Sequence, residues 1–177
     1  MKNNALSKLL HVVDFKTRKL LAEGLMMSTV AYMIQVNRRC SNYLFNMLQV
    51  QQNLAARYTT KLPRLTPTNV LLSQCGWLSI RQLIQYHSLI LLHKAITEKT
   101  PQYISDKLKF VSRVSRTTDH LTLIDTQRRR TVTATNGFMS KTIRDWNLLP
   151  HTIRELKKSV QFKNQLKTHI SHNVPAK

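Results

Sequence analysis

The stretch Tyr43-Leu-Phe-Asn-Met-Leu-Gln-Val-Gln-Gln-Asn-Leu-Ala-Ala-Arg-Tyr58 decides how the chain is read. Tyr43, Leu44, Met47, Leu48, Gln51, Leu54, Ala55 and Tyr58 recur three and four residues apart. That spacing places side chains on one face of an α-helix. Packing Leu48, Leu54, Ala55 and the stem of Gln51 inward turns Gln49, Gln52, Asn53 and Arg57 outward. Amides and a guanidinium in such a row can meet a phosphate backbone or an RNA minor groove. The same spacing also describes a plain amphipathic helix. Arg57, near the helix end, complements the helix dipole as well.

Outward from that helix the same periodicity continues. Leu6, Leu9, Leu10 and Val13 predict a short first helix, and Leu21, Leu25, Met26, Thr29, Val30, Met33 and Ile34 a longer second one. Lys61-Leu-Pro-Arg64 breaks the pattern. Thr66-Pro67 and Thr100-Pro101 read as N-caps followed by a proline that starts a helix, Gly76 as a helix stop, and Ser79 as the next cap. From Lys109 to Thr135 the periodicity is lost among Ser, Thr and Arg. There His120–Ile124 and Arg130–Ala134 alternate weakly and allow a hairpin. Phe138, Ile143 and Trp146 resume a helical pattern up to Leu149-Pro150. Ser159 then caps a last helix carrying Phe162, Leu166 and Ile170. The expected fold is mainly α: a helical bundle over 1–108, a polar basic linker or hairpin over 109–135, and a C-terminal helical segment over 136–172. Trp77, Trp146 and Phe162 read as core anchors.

Charge bounds the partners. Among 177 residues, 28 Lys and Arg face 8 Asp and Glu, a net charge of +20 with a pI near 10.7. Such a field attracts polyanions, of which nucleic acid is the commonest in a cell. The bases cluster at Lys16-Thr-Arg-Lys19, Arg38-Arg39, Arg128-Arg-Arg130 and Lys157-Lys158, spread along the chain rather than held in one tail. A membrane surface would want one basic helix with Trp or Phe opposite, and no segment concentrates both. No apolar run approaches the roughly 20 residues that span a bilayer, and Met1–Leu10 does not read as a secretory signal. Cys40 and Cys75 stand apart without a CxxC, which suggests a reducing compartment, nuclear or cytoplasmic.

Catalytic signatures are sparse. No two acids are adjacent, so no Asp-Asp pair is offered for two metal ions. Asp119 and Asp125 read as turn residues. His169 and His172 have zinc-compatible spacing but no Cys pair beside them. The glycines Gly24, Gly76 and Gly137 stand alone, so there is no phosphate-cradling loop. The expectation is a chain without catalytic residues, metal or cofactor.

Taken in order, several strings resemble the C-terminal part of non-LTR, LINE-like retrotransposon reverse transcriptases. They are Thr17-Arg-Lys-Leu-Leu-Ala-Glu-Gly24, with Ser28 and Tyr32; Leu48-Gln-Val-Gln-Gln-Asn-Leu-Ala-Ala-Arg57; and Thr66-Pro67 with Leu71-Leu72. Gln74-Cys-Gly-Trp-Leu-Ser-Ile-Arg-Gln-Leu83, Tyr86-His-Ser-Leu89, Lys94 and Pro101-x-Tyr103 follow. The tail adds Phe138, Trp146-Asn-x-Leu-Pro150, Ile153-Arg154, Ser159, Phe162-Lys163 and Leu166-Lys167. No single string is specific; their order and spacing carry the resemblance, which spans residues 14 to 170. Where relatives carry a Trp-Gly-Gly-like string before Cys40, this chain has Asn37-Arg38-Arg39.

The resemblance implies a thumb and the segment after it, downstream of a palm whose Asp-Asp motif is absent here. It therefore implies an element-derived or truncated piece of an RNA-directed DNA polymerase. A thumb grips the template–primer duplex by shape and phosphate, which makes RNA or an RNA–DNA hybrid the expected partner, alongside the palm of the intact parent. Arg38, Arg39, Gln52, Asn53, Arg57 and Lys61 would form one contact surface, and Arg128, Arg129 and Arg130 a second. The alternative class is a non-enzymatic helical interaction module or inactive remnant, whose apolar surface leaves homo-oligomerisation open.

Overall fold

The computed structural model describes residues 13–32, 41–97, 100–106, 108–113, 115, 118–125, 131 and 137–172. The chain is mainly α-helical, with one two-stranded sheet among the described residues. It divides into two compact units, residues 1–83 and 84–177.

The first unit begins with α1, Phe15–Ala22, capped by Asp14, whose side chain accepts from the Thr17 N–H. A π-helical stretch, Glu23–Met27, leads into α2, Ser28–Ala31. The next helix, α3, spans Asn42–Thr60 and starts on Ser41, whose hydroxyl accepts from the Leu44 N–H. It ends at Lys61, in the left-handed conformation (φ 58°), whose N–H reaches back to the Arg57 carbonyl. Short α4, Thr68–Cys75, follows Pro67, so that proline stands at the cap rather than inside the first turn. Gly76 (φ 66°) closes α4, with the Trp77 N–H donating to the Leu72 carbonyl. A positive φ here is the glycine's own territory, since a Cβ would crowd the carbonyl. Ser79 and Gln82 then form a reciprocal capping box at the start of α5, Ile80–Ile96: the Ser79 N–H donates to the Gln82 amide oxygen, and the Gln82 N–H to the Ser79 hydroxyl.

Ala22, Met26 and Ala55 are packed together, with Leu21, Tyr58 and Trp77 against them. Ala56 packs with Leu71, Leu72 and Cys75, again with Trp77 alongside. The two alanines of α3 have no side chain beyond Cβ, so α1 and α4 can approach its backbone closely. Trp77 seals both clusters.

In the second unit, α6 (Gln102–Ser105) precedes β1 (Lys109–Phe110) and β2 (Leu123–Ile124). The strands are antiparallel, with Lys109 opposite Ile124 and Phe110 opposite Leu123. Among the described residues the 120–124 segment pairs with Lys109–Phe110. Of the proposed second strand, residues 130–134, only Thr131 lies among the described residues. Three helices complete the unit: α7 (Phe138–Asn147), α8 (His151–Arg154) and α9 (Ser159–His172). Trp146, Phe162, Leu166 and Ile170 are buried here with Ile143, Leu149 and Ile153.

The division between units falls within α5. The reason lies at His93, which is buried, stacks on the Phe162 ring at 4.1 Å between centroids, and meets the Leu156 carbonyl at 2.6 Å through Nε2. These contacts tie the second half of α5 to α9 through Phe162 and to the segment before it through Leu156. A carbonyl only accepts, so Nε2 carries the proton. Residues 1–12, which include the expected first helix up to Leu10, lie outside the described residues.

Candidate nucleic-acid interface

The face that α3 turns inward differs from the expected one. Its buried residues are Phe45, Gln52, Ala55, Ala56 and Thr59. Tyr43, Leu44, Met47 and Val50, all apolar, are exposed. Gln52, expected as a surface contact, is 1% exposed and its amide is occupied. Its Nε2 donates to the Leu78 carbonyl at 2.8 Å, and its Oε1 accepts from Gln49 Nε2 at 2.9 Å. Gln52 is therefore a structural residue and not a ligand contact.

The neighbouring amides serve the same end. Gln49 Oε1 accepts from the Ile80 N–H, 3.0 Å away, and Gln49 Nε2 also donates to Asn53 Oδ1. Asn53, half-buried, donates through Nδ2 to the Thr68 hydroxyl at 3.1 Å. Three amides along α3 thus hold the first residue of α4, the first residue of α5 and the Leu78 carbonyl before it. The first N–H groups of a helix have no partner within it, and leaving such a group buried and unbonded costs roughly 1–3 kcal/mol. That demand, with the close approach over Ala55 and Ala56, outweighs burying Leu44, Met47 and Val50. Asn53 is accordingly committed within the fold on both ends of its amide.

Of the expected first contact surface, Arg57 and Lys61 remain. Arg57 is half-buried, and its Nε is shut from solvent without an acceptor. Lys61 is exposed at the exit of α3, and Arg64 is exposed three residues on. Arg38, Arg39, Arg128, Arg129 and Arg130 lie outside the described residues. Arg18 was not singled out by the sequence reasoning, although it lies in the Lys16–Lys19 cluster. Its Nε donates to the Thr59 carbonyl at 3.0 Å and its Nη1 to the Val13 carbonyl at 2.6 Å. It places a cation at the negative, C-terminal end of α3.

The acids of this unit are engaged locally. Asp14 caps α1, and hydrogen bonding from Thr17 holds its carboxyl below the usual range. Glu23 accepts from Trp77 Nε1 at 2.9 Å and lies 3.9 Å from Lys19 Nζ. The tryptophan is thereby fixed at both its apolar body and its polar tip. Cys75 is buried against this group, and desolvation pushes its thiol up to about 11, which keeps it protonated and inert.

In the second unit Asp119 is likewise bound into the fold. Asp119 takes a two-pronged bond from Arg154, at 3.0 and 2.8 Å, and further bonds from the Thr122 hydroxyl and the Leu121 N–H. Desolvation opposes its ionisation, but the bonds from Thr122 and Arg154 outweigh it and hold the pKa down. His151 lies 3.7 Å from Asp119 and 3.4 Å from Glu155. Trp146 Nε1 donates to the Leu121 carbonyl at 3.0 Å, and the Asn147 amide both accepts from and donates to the Leu123 backbone, at 3.0 and 2.9 Å. Trp146-Asn147 therefore clasps the β2 segment, a role for Asn147 that its sequence position does not announce. Lys157, Lys158 and Lys167 are exposed, Lys163 is half-exposed, and none of the four makes an ion pair among the described residues. An open groove of about 490 Å³ runs beside α8 and α9, lined by Pro150, Thr152, Ile153, Asn164, Gln165 and Thr168 among others.

Among the described residues no group of three His, Cys, Asp or Glu side chains could hold a metal ion, and no helix is long and apolar enough to cross a membrane. The arrangement offers exposed cations, while Asp14, Glu23 and Asp119 are committed to the fold. No family model, no curated protein and no solved structure matches this chain.

Proposed function

We propose that the chain is a nucleic-acid-binding piece similar to the thumb and post-thumb region of a non-LTR retrotransposon reverse transcriptase, holding a template–primer duplex through its phosphates and contributing no catalytic centre. One observation carries the reading: a net charge of +20 in which Asp14, Glu23 and Asp119 are bound into the fold while Lys61, Arg64, Lys157, Lys158, Lys163 and Lys167 make no ion pair among the described residues. Cations far in excess of local carboxylates are what a polyphosphate partner neutralises. Lys61 adds to this, because it keeps a lysine in a left-handed conformation where glycine is the usual choice. After the removal of Gln52 and Asn53, the contact surface at the exit of α3 consists of Arg57, Lys61 and Arg64. Arg38-Arg39 and Arg128–Arg130 supply the remaining cations.

The test is the affinity for an RNA–DNA hybrid as a function of salt. The logarithm of the association constant is expected to fall linearly with the logarithm of salt concentration, with a slope of several units, because each neutralised phosphate releases condensed counterion. Unrelated sequences of equal length should bind alike, since phosphates carry no sequence information. A salt-independent affinity contradicts the reading. A second reading, a helical interaction module, is favoured by the uncovered apolar face of α3.

A further inference from the structure

The pattern expected on the outer face of α3, amides beside cations, is carried outward by α9 instead. Phe162, Leu166 and Ile170 recur every four residues and are buried. That fixes which side of Ser159–His172 faces solvent. Gln161, Asn164, Gln165 and Thr168, three and four residues apart, form one exposed stripe. Lys163 and Lys167, about one turn apart, form a second stripe beside it, half-exposed and exposed. The side-chain amides of Gln161, Asn164 and Gln165 make no hydrogen bond among the described residues. On α3, by contrast, the amides of Gln49, Gln52 and Asn53 are all engaged within the fold. The Thr168 hydroxyl donates to the Asn164 carbonyl, and its oxygen can still accept.

The surroundings say what this face fits. Asn164, Gln165 and Thr168 line the open groove of about 490 Å³ beside α8, together with Pro150, Thr152 and Ile153, and His169 is its one titratable lining residue. The nearest acid in sequence, Glu155, lies 3.4 Å from His151. From Leu156 to Lys177 no Asp or Glu follows. A partner must therefore present anions to the lysine stripe and neutral hydrogen-bonding groups to the stripe next to it. An RNA strand carries both, as phosphates and 2′-hydroxyls in regular alternation; a DNA strand carries only the first. A 2′-hydroxyl donates and accepts, and so does a carboxamide, so the two can pair in either sense. In an A-form duplex these hydroxyls lie in a wide, shallow minor groove that a helix face can meet without insertion.

We infer that the outward face of α9 binds an RNA strand, with Lys163 and Lys167 on its phosphates and Gln161, Asn164, Gln165 and Thr168 on its 2′-hydroxyls. This rests on the nucleic-acid reading above and deepens it. It gives the second unit a contact surface of its own and lets the chain distinguish RNA from DNA without reading sequence.

Fluorescence anisotropy of the full chain with an RNA–DNA hybrid, and with the same hybrid carrying a 2′-fluoro RNA strand, tests it. Fluorine keeps the A-form outline and removes the hydroxyl donor. The expected result is severalfold weaker binding of the fluoro hybrid. Asn164→Ala with Gln165→Ala is expected to bring the two affinities within about twofold of each other and to leave the salt dependence unchanged. Lys163→Gln with Lys167→Gln is expected to lower the salt slope by about two units for both hybrids alike. If the double alanine variant fails to fold, Gln165→Met keeps the side-chain length without its hydrogen-bonding end and is expected to narrow the gap in part. Three outcomes overturn the inference while salt-dependent binding leaves the nucleic-acid reading standing: equal affinity of the unaltered chain for both hybrids, a gap that the amide variants leave in place, or a slope that the lysine variant does not move. Absence of salt-dependent binding to either hybrid overturns both.

Discussion

The two units solve the same packing problem with different chemistry. In the first, the helix at the centre, α3, buries alanines and a glutamine, and joins its neighbours through the amides of Gln49, Gln52 and Asn53. In the second, aromatic rings do the filling. Phe162 lies between His93, stacked at 4.1 Å, and Trp146, tilted at 6.0 Å. Polar tips, Trp146 Nε1 and the Asn147 amide, then hold the strand segment. An amide network is directional and fails when one member is lost, because partners are left buried and unbonded. A ring stack gains from area and dispersion, and fails by leaving a cavity.

Each unit carries one tryptophan, Trp77 or Trp146, so fluorescence can follow them separately. The largest effect is expected in the second unit. Phe162→Ala removes a fully buried ring and is expected to cost about 3–5 kcal/mol. In a Trp77→Phe background, Trp146 emission should report its unfolding at clearly lower denaturant. A loss below about 1 kcal/mol would show that the stack is not what holds this unit.

An intermediate effect is expected at Gln52→Leu. The apolar volume is kept, but the Leu78 carbonyl and the Gln49 amide lose their partner, at a cost of about 1–3 kcal/mol. Trp77 emission should record it in chains that retain that residue alone. A neutral or stabilising outcome would erase the contrast, since the first unit would then rest on apolar burial like the second.

The smallest effect is expected at Lys61→Gly. Relief of the left-handed backbone should raise stability by about 0.5–1 kcal/mol. Loss of the cation should lower the salt slope of hybrid binding by about one unit. Higher stability with unchanged binding would remove Lys61 from the contact surface and leave it as a helix-end cation only.

The local grammar of the chain was legible in its residues. The helix over 42–60, the stop at Gly76, the cap at Ser79 and the last helix with Phe162, Leu166 and Ile170 inward all follow from periodicity and from what each residue does to its own backbone. These features depend on neighbours within a turn or two, which is the range over which sequence pattern acts. The candidate contact surface was less legible. Exposed Lys61 and half-buried Arg57 followed from the helix end, but Gln52 was placed on the wrong face of α3.

What only the tertiary structure decided is which stripe of a helix turns inward and which distant segments meet. Apolar spacing made α3 a helix, yet its amide side turned inward, where Gln49 and Gln52 satisfy the Ile80 N–H and the Leu78 carbonyl. Likewise, nothing near His93, Asn147 or Lys109 in sequence names Phe162, Leu123 or Ile124 as their partners. Unsatisfied backbone groups and shape complementarity are properties of the assembled chain. They override a helix's own hydrophobic pattern when a polar group would otherwise be buried without a bond.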